Sequence, residues 1–163
     1  MRLEHDGVTV ELPRGWEAEA RDRPYDSPRR MGLGVASFDP APEREALVTL
    51  HLANFPLPLE RGDYGSGAVE QMGADSVFVS LLEFGPESVG TALFAHEGLP
   101  LPLLPDQFSP NQLQRPQVDQ VGYQGFFSVA GRAFCVYVVL GDGRRASQLA
   151  ADANEALASV RFG

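Results

Sequence analysis

The sequence predicts an α+β fold, an antiparallel β-sheet with helices packed on it, and three observations carry that expectation. Apolar and polar residues alternate with period two in several separate segments. Two apolar runs meet across a tight glycine turn, and the C-terminal segment carries an apolar stripe at helical spacing.

The first strand is Val8 to Leu12, where Val8, Val10 and Leu12 alternate with Thr9 and Glu11. Pro13 and Gly15 end it, and Trp16, Ala18 and Ala20 then alternate with Glu17, Glu19 and Arg21, so the two segments are expected to pair as a hairpin. Arg23 to Arg30 holds two prolines and reads as a loop before the apolar segment Leu33 to Phe38, after which Pro40 and Pro42 break the chain again. Ala46 to Asn54 is a stronger strand, with Val48, Leu50 and Leu52 on one face and Leu47, Thr49, His51 and Ala53 on the other. Pro56 and Pro58 stop it, since proline cannot donate to a ladder.

Ser66 to Met72 can make two turns of helix with Ser66 as N-cap and Gly73 as its end. Val77 to Phe84 is apolar on both faces and belongs in the middle of the sheet. From Leu99 to Gln117 the prolines Pro100, Pro102, Pro105, Pro110 and Pro116 forbid a regular helix or a central strand. Gly122 to Val129 and Arg132 to Leu140 form a hairpin about Ala130 and Gly131, and the second arm, apolar on both faces, is central. Leu149, Ala153, Ala156, Leu157 and Val160 share one stripe of a helix whose Asp152 and Glu155 face away, and Val160 to Phe162 returns as a short strand.

Composition limits the function. A chain of 163 residues with 44% hydrophobic and 21% charged residues suits one globular domain spanning 1–163. Its net charge of −9 repels phosphate backbones, and the adjacent basic pairs Arg29 with Arg30 and Arg144 with Arg145 are too short to track a duplex, so no nucleic-acid partner is expected. Lysine and isoleucine are both absent, a bias that suggests a GC-rich genome. Without lysine, Schiff-base catalysis and the P-loop are excluded. The single cysteine, Cys135, leaves no internal disulfide and points to a reducing compartment. The N-terminus is charged from its start and no apolar run reaches about 18 residues, so a cytoplasmic protein without a membrane span is expected.

Chemistry-bearing motifs are few. His5, His51 and His96 make no HExxH pair, and neither a metal site nor a cofactor is expected. His51, mid-strand beside Thr49, is placed to serve as a general base or to sit hydrogen-bonded without chemistry. Cys135 lies in the most apolar strand, where a thiolate is costly, and reads as packing. No serine stands in a GxSxG elbow. Gly65, Ser66 and Gly67 offer backbone N–H groups to an anion, which Asp63 and Glu70 disfavour. Arg61-Gly62-Asp63 matches an integrin-binding tripeptide by chance, and Glu83, the one charge in its strand, is expected at an edge facing water.

The opening GVTVELPRGWEAEA, Gly7 to Ala20, resembles the start of PsbP-like domains, and the ending ANEALASVRF, Ala153 to Phe162, is similar to their closing helix and strand. FPLPLERGDYGSGAV, GRAFCVYVVLG and ANEALASV resemble uncharacterised proteins of GC-rich bacteria. The first resemblance implies an α/β/α sandwich around an antiparallel sheet, used in that superfamily mostly for non-catalytic binding by photosystem accessory, nuclear-import and secretion-chaperone proteins.

The expected function is therefore a non-enzymatic protein-binding or adapter module of chaperone-like kind. Its contact surface is Phe55 and Leu57 with Leu101, Leu103 and Leu104, apolar sequence held extended by proline. The alternative is a small-molecule pocket or enzyme between sheet and loop using His51, Glu83 and Tyr123, and a homodimer is a third possibility.

Overall fold

The computed structural model describes residues 1–25 and 46–163. The expected apolar segment Leu33 to Phe38, the breaks at Pro40 and Pro42 and the pair Arg29 with Arg30 lie outside them. Strand β1 (Arg2–His5) pairs antiparallel with β2 (Val8–Glu11) about Asp6 and Gly7, whose φ angles of 47° and 78° are the left-handed pair that a two-residue hairpin turn demands. This hairpin replaces the expected one: Pro13 to Trp16 makes a turn that carries the chain out of this sheet, and β3 (Glu17–Pro24) joins another.

The larger sheet has the order β3-β4-β5-β7-β6, all antiparallel, with β4 (Ala46–Ala53), β5 (Val77–Phe84), β6 (Val121–Val129) and β7 (Arg132–Leu140). Strands β5 and β7 are central, as their two-faced apolar sequences require. Ala130 and Gly131, at φ 51° and 74°, turn β6 into β7. The smaller sheet is closed by β8 (Arg161–Phe162), which pairs with β2.

Pleat alternation sorts the larger sheet into two faces. Val48, Leu50, Leu52, Val79, Leu81, Phe134, Val136 and Val138 pack on one face against Leu149, Ala153, Ala156 and Leu157 of helix α1 (Ala146–Ala158) and against Val8 and Val10 of the small sheet. The alanines on α1 let its axis approach closely. Each Leu, Val or Phe so buried contributes roughly 1.5–3 kcal/mol before the cost of ordering. On the opposite face Ala53, Phe78, Tyr137 and Val139 lie beneath Ala68 and Val69, with Phe55, Leu57, Tyr64, Met72 and Leu113 packed around them.

That second face carries no α-helix among the described residues, so the α/β/α sandwich is not formed there; the architecture is α+β, two antiparallel sheets with α1 on one side. The reason lies between β4 and β5. Gly65 and Gly67 stand at φ 86° and 93°, which no helix continues through, and the expected helix Ser66 to Met72 shrinks to the 3-10 turn Val69–Gln71 with Ala68, not Ser66, at its cap.

The proline-rich connection is an ordered strap that wraps one edge of the sheet. Leu103 is buried in the core beneath α1, and its backbone N–H and C=O both bond the Asn154 side chain, at 2.7 and 2.9 Å. Ser109 then exchanges two backbone hydrogen bonds with Gly122 on the outer edge of β6, at 2.9 and 3.0 Å. Beyond it Leu113 lies on the loop-covered face, and the Gln114 N–H donates to the Tyr137 hydroxyl at 2.9 Å. At the other end of β6, Ser128 pairs with His96 and Gly98. Both ends of an edge strand that would otherwise offer unpaired groups are thereby covered.

Candidate functional site

The loop-covered face holds a polar network built on His51. Alternation along β4 points His51 to this face beside Thr49, in register with Glu19 on β3 and Ser80 on β5. It is 1% exposed. Arg61 Nε donates to His51 Nδ1 at 2.9 Å, and because a guanidinium only donates, the imidazole proton sits on Nε2, which donates to the Asp63 carbonyl at 2.9 Å. Burial is the main reason that the imidazole pKa falls to about 4, with the Arg61 and Arg21 charges adding to it while the Asp63 contacts oppose it.

Arg61 is itself held by two further contacts. Its side chain is fully buried, with Nη1 bonded to the Pro58 carbonyl and Nη2 standing 3.0 Å from Glu19 Oε1. This close ion pair holds the Glu19 carboxyl below its ordinary range. Arg21 Nη1 donates to the Arg61 carbonyl at 2.8 Å, and Ser80 Oγ donates to the Asp63 carbonyl at 2.6 Å. The tripeptide Arg61-Gly62-Asp63 is thus a clamp folded onto the sheet. With both ring nitrogens engaged, His51 has no lone pair free to take a proton from a substrate.

Glu83 corrects a sequence expectation. It is 1% exposed on central strand β5, not at a wetted edge. Arg132 on β7 meets it with two bonds, Nε to Oε2 at 2.9 Å and Nη2 to Oε1 at 3.1 Å, and the Val48 N–H donates to Oε1 at 3.1 Å. The same guanidinium lies over the Phe134 ring and donates from Nη1 to the Asp6 carbonyl at 2.6 Å, tying the large sheet to the β1–β2 turn. Glu83 and Arg132 are the charged interruptions of two apolar strands, and that shared irregularity is the signal that could have paired them.

The fold does not gather His51, Glu83 and Tyr123. His51 faces the loops, whereas Glu83, in register with Phe134, and Tyr123, in register with Val138, face α1. Phe134 and Val138 are four positions apart on β7, so the two rows stand about 13 Å apart along it. Of the expected contact residues, Phe55 and Leu57 pack on the loop-covered core while Leu101 and Leu103 pack on the helix-covered one. Leu104 alone of the five stands well exposed, at 51%.

Cys135 is buried in β7, and desolvation pushes its thiol up to about 11. Gly67 N–H is taken by the Glu70 carboxylate at 2.6 Å, which occupies the expected anion position from within the chain. At the start of α1, Arg144 and Arg145 line a depression of about 530 Å³, but Asp142 and Asp75 pair with them. Among the described residues no group of three or more His, Cys, Asp or Glu side chains is placed to hold a metal ion, and no helix is long and apolar enough to cross a membrane.

An aromatic shelf went unnoticed in the sequence. Phe84 and Phe126 lie on the loop-covered face at the end away from His51, in register with Ala133 and Cys135. Phe94 inserts from the following connection, with ring centroids 5.2 and 5.4 Å from those of Phe84 and Phe126. Phe94 is buried, the other two rings are only half-buried, and Leu93, its neighbour in the chain, is 61% exposed. The Ser128 hydroxyl fixes the segment by donating to the Phe94 carbonyl at 2.7 Å. No protein-family model, curated protein or solved structure matches the chain.

Proposed function

We propose that this chain is a non-enzymatic protein-binding module whose contact surface is the loop-covered face, centred on Leu93, Phe84 and Phe126. The carrying observation is an aromatic cluster that leaves two rings half-buried, with an exposed leucine preceding the third ring in the chain. Half-covered aromatic anchors with a buried neighbour to brace them are what a partner can desolvate at low entropic cost. The groups that would have served catalysis are engaged elsewhere: His51 in its clamp, Glu83 with Arg132, Cys135 in the core. The resemblance of the opening and closing motifs to PsbP-like domains, mostly non-catalytic binders, supports the same reading.

The test is capture of partners by immobilised protein. Leu93→Asp places a charge at a position that is 61% exposed, so the melting temperature should hold while the captured species is lost. An unchanged set of captured proteins would contradict the assignment of this surface.

A further inference from the structure

His51 is held in the one protonation state that its surroundings permit, and both of its ring bonds run to the same loop. Nδ1 accepts from Arg61 and Nε2 donates to the Asp63 carbonyl, so the imidazole joins strand β4 to the stretch from Pro58 to Gly67. The loop has little slack. Gly65 lies so close to the Phe78 ring that a Cβ there would fall 2.5 Å from it, and Tyr64 packs edge-on to Tyr137 at 5.4 Å. The groups facing the ring are Glu19 and Arg21 from β3, Arg61 and Asp63 from the loop, and from β5 only Ser80 and the Phe78 ring among the described residues.

We propose that His51 is an acid-sensitive latch: a proton on Nδ1 evicts the Arg61 guanidinium and releases the loop from Pro58 to Gly67 off the face of the sheet. An imidazolium carries N–H on both nitrogens and cannot accept from Arg61, and two cations would then oppose each other at hydrogen-bond distance inside a buried site. The Glu19 carboxylate, at the rim and 3.0 Å from Arg61 Nη2, attracts both charges and offsets only part of that repulsion. Opening hydrates His51 and Arg61 together and uncovers the Phe78 and Tyr137 rings.

The sign follows from linkage. Closed, the ring is neutral and its pKa lies far below the ordinary 6.5, at about 4; open, it titrates near its ordinary value. The closed state is therefore fully favoured above pH 6.5 and loses ground as pH falls toward 4, by about tenfold per pH unit in the opening equilibrium. Below that range the closed form protonates too and the trend ends. This inference concerns regulation of the loop and does not require the aromatic shelf to be the contact surface.

Hydrogen exchange from pH 7.5 to 4.5, normalised to intrinsic rates, tests it on the intact chain. Peptides covering 58–67 should lose protection below pH 6.5 while β5 and β7 keep theirs, and His51→Gln, whose amide can accept from Arg61 and donate to Asp63, should abolish the acid response. A nitrogen-resolved imidazole titration of the unmodified protein supplies a readout that needs no variant: His51 should be the Nε2–H tautomer at neutral pH and gain its Nδ1 proton only below pH 6, together with the loss of loop protection. Loop protection that ignores pH, an equal acid response in His51→Gln, loop and sheet opening as one, or His51 protonated at pH 6 would each overturn the proposal.

Discussion

Individual charged side chains decide more here than their small number suggests. Arg132 touches a buried carboxylate, a backbone carbonyl of the other sheet and an aromatic face. Arg132→Met keeps the stem but removes the two-bond partner of buried Glu83, and is expected to lower unfolding free energy by about 3–5 kcal/mol. Combined with Glu83→Leu the loss should shrink substantially, because an apolar pair of similar volume avoids the desolvation cost altogether. Urea titrations of the single and double variants measure both, and a single-variant loss under about 1 kcal/mol would show the pair to be loosely held. His51 bears on stability in the same way, its depressed pKa withdrawing about 3 kcal/mol between pH 6.5 and 4. Only the Glu83–Arg132 pair left a trace in the sequence, one charge in each of two apolar strands. The pattern marks Glu83 and His51 as polar residues in apolar strands, but what each meets depends on a strand or loop that pairing brings from far along the chain.

The elements themselves were mostly legible, and where they were not, glycine and proline explain the difference. Strands β4, β5, β6 and β7 and helix α1 have long, regular patterns, and the structure gives each where the alternation or the stripe places it. The two-residue sequence Asp6-Gly7 was a hairpin signal hidden in a charged N-terminus, and it moved β2 to a separate sheet. The strap shows the opposite difficulty. Its prolines forbid regular structure, yet Leu103 is fully committed to the core while Leu104 next to it faces water. Leu103→Ala is therefore expected to cost about 2–5 kcal/mol, and Leu104→Ala to stay within about 0.5 kcal/mol. Equal effects in thermal or urea unfolding would mean that the strap does not seat as described.

At the scale of the whole molecule, the two faces of the large sheet are unlike. One is closed by α1 and the small sheet around a continuous apolar core, and the other is roofed by glycine- and proline-bearing connections that carry polar clamps and a half-covered aromatic shelf. The fold class follows from alternation and the terminal stripe, whereas the asymmetry does not, because residues that pack on opposite faces are neighbours in sequence. We propose that function resides on the less complete face, where the half-covered rings of β5 and β6 stand with the connection that carries Leu93. The most direct measurement places a photo-crosslinking benzoylphenylalanine at Leu93 and, separately, at Ser147 on the exposed side of α1. The account predicts a covalent adduct with a bound polypeptide from position 93 and none from 147; adducts from 147 alone would put the binding surface on the helix side and contradict it.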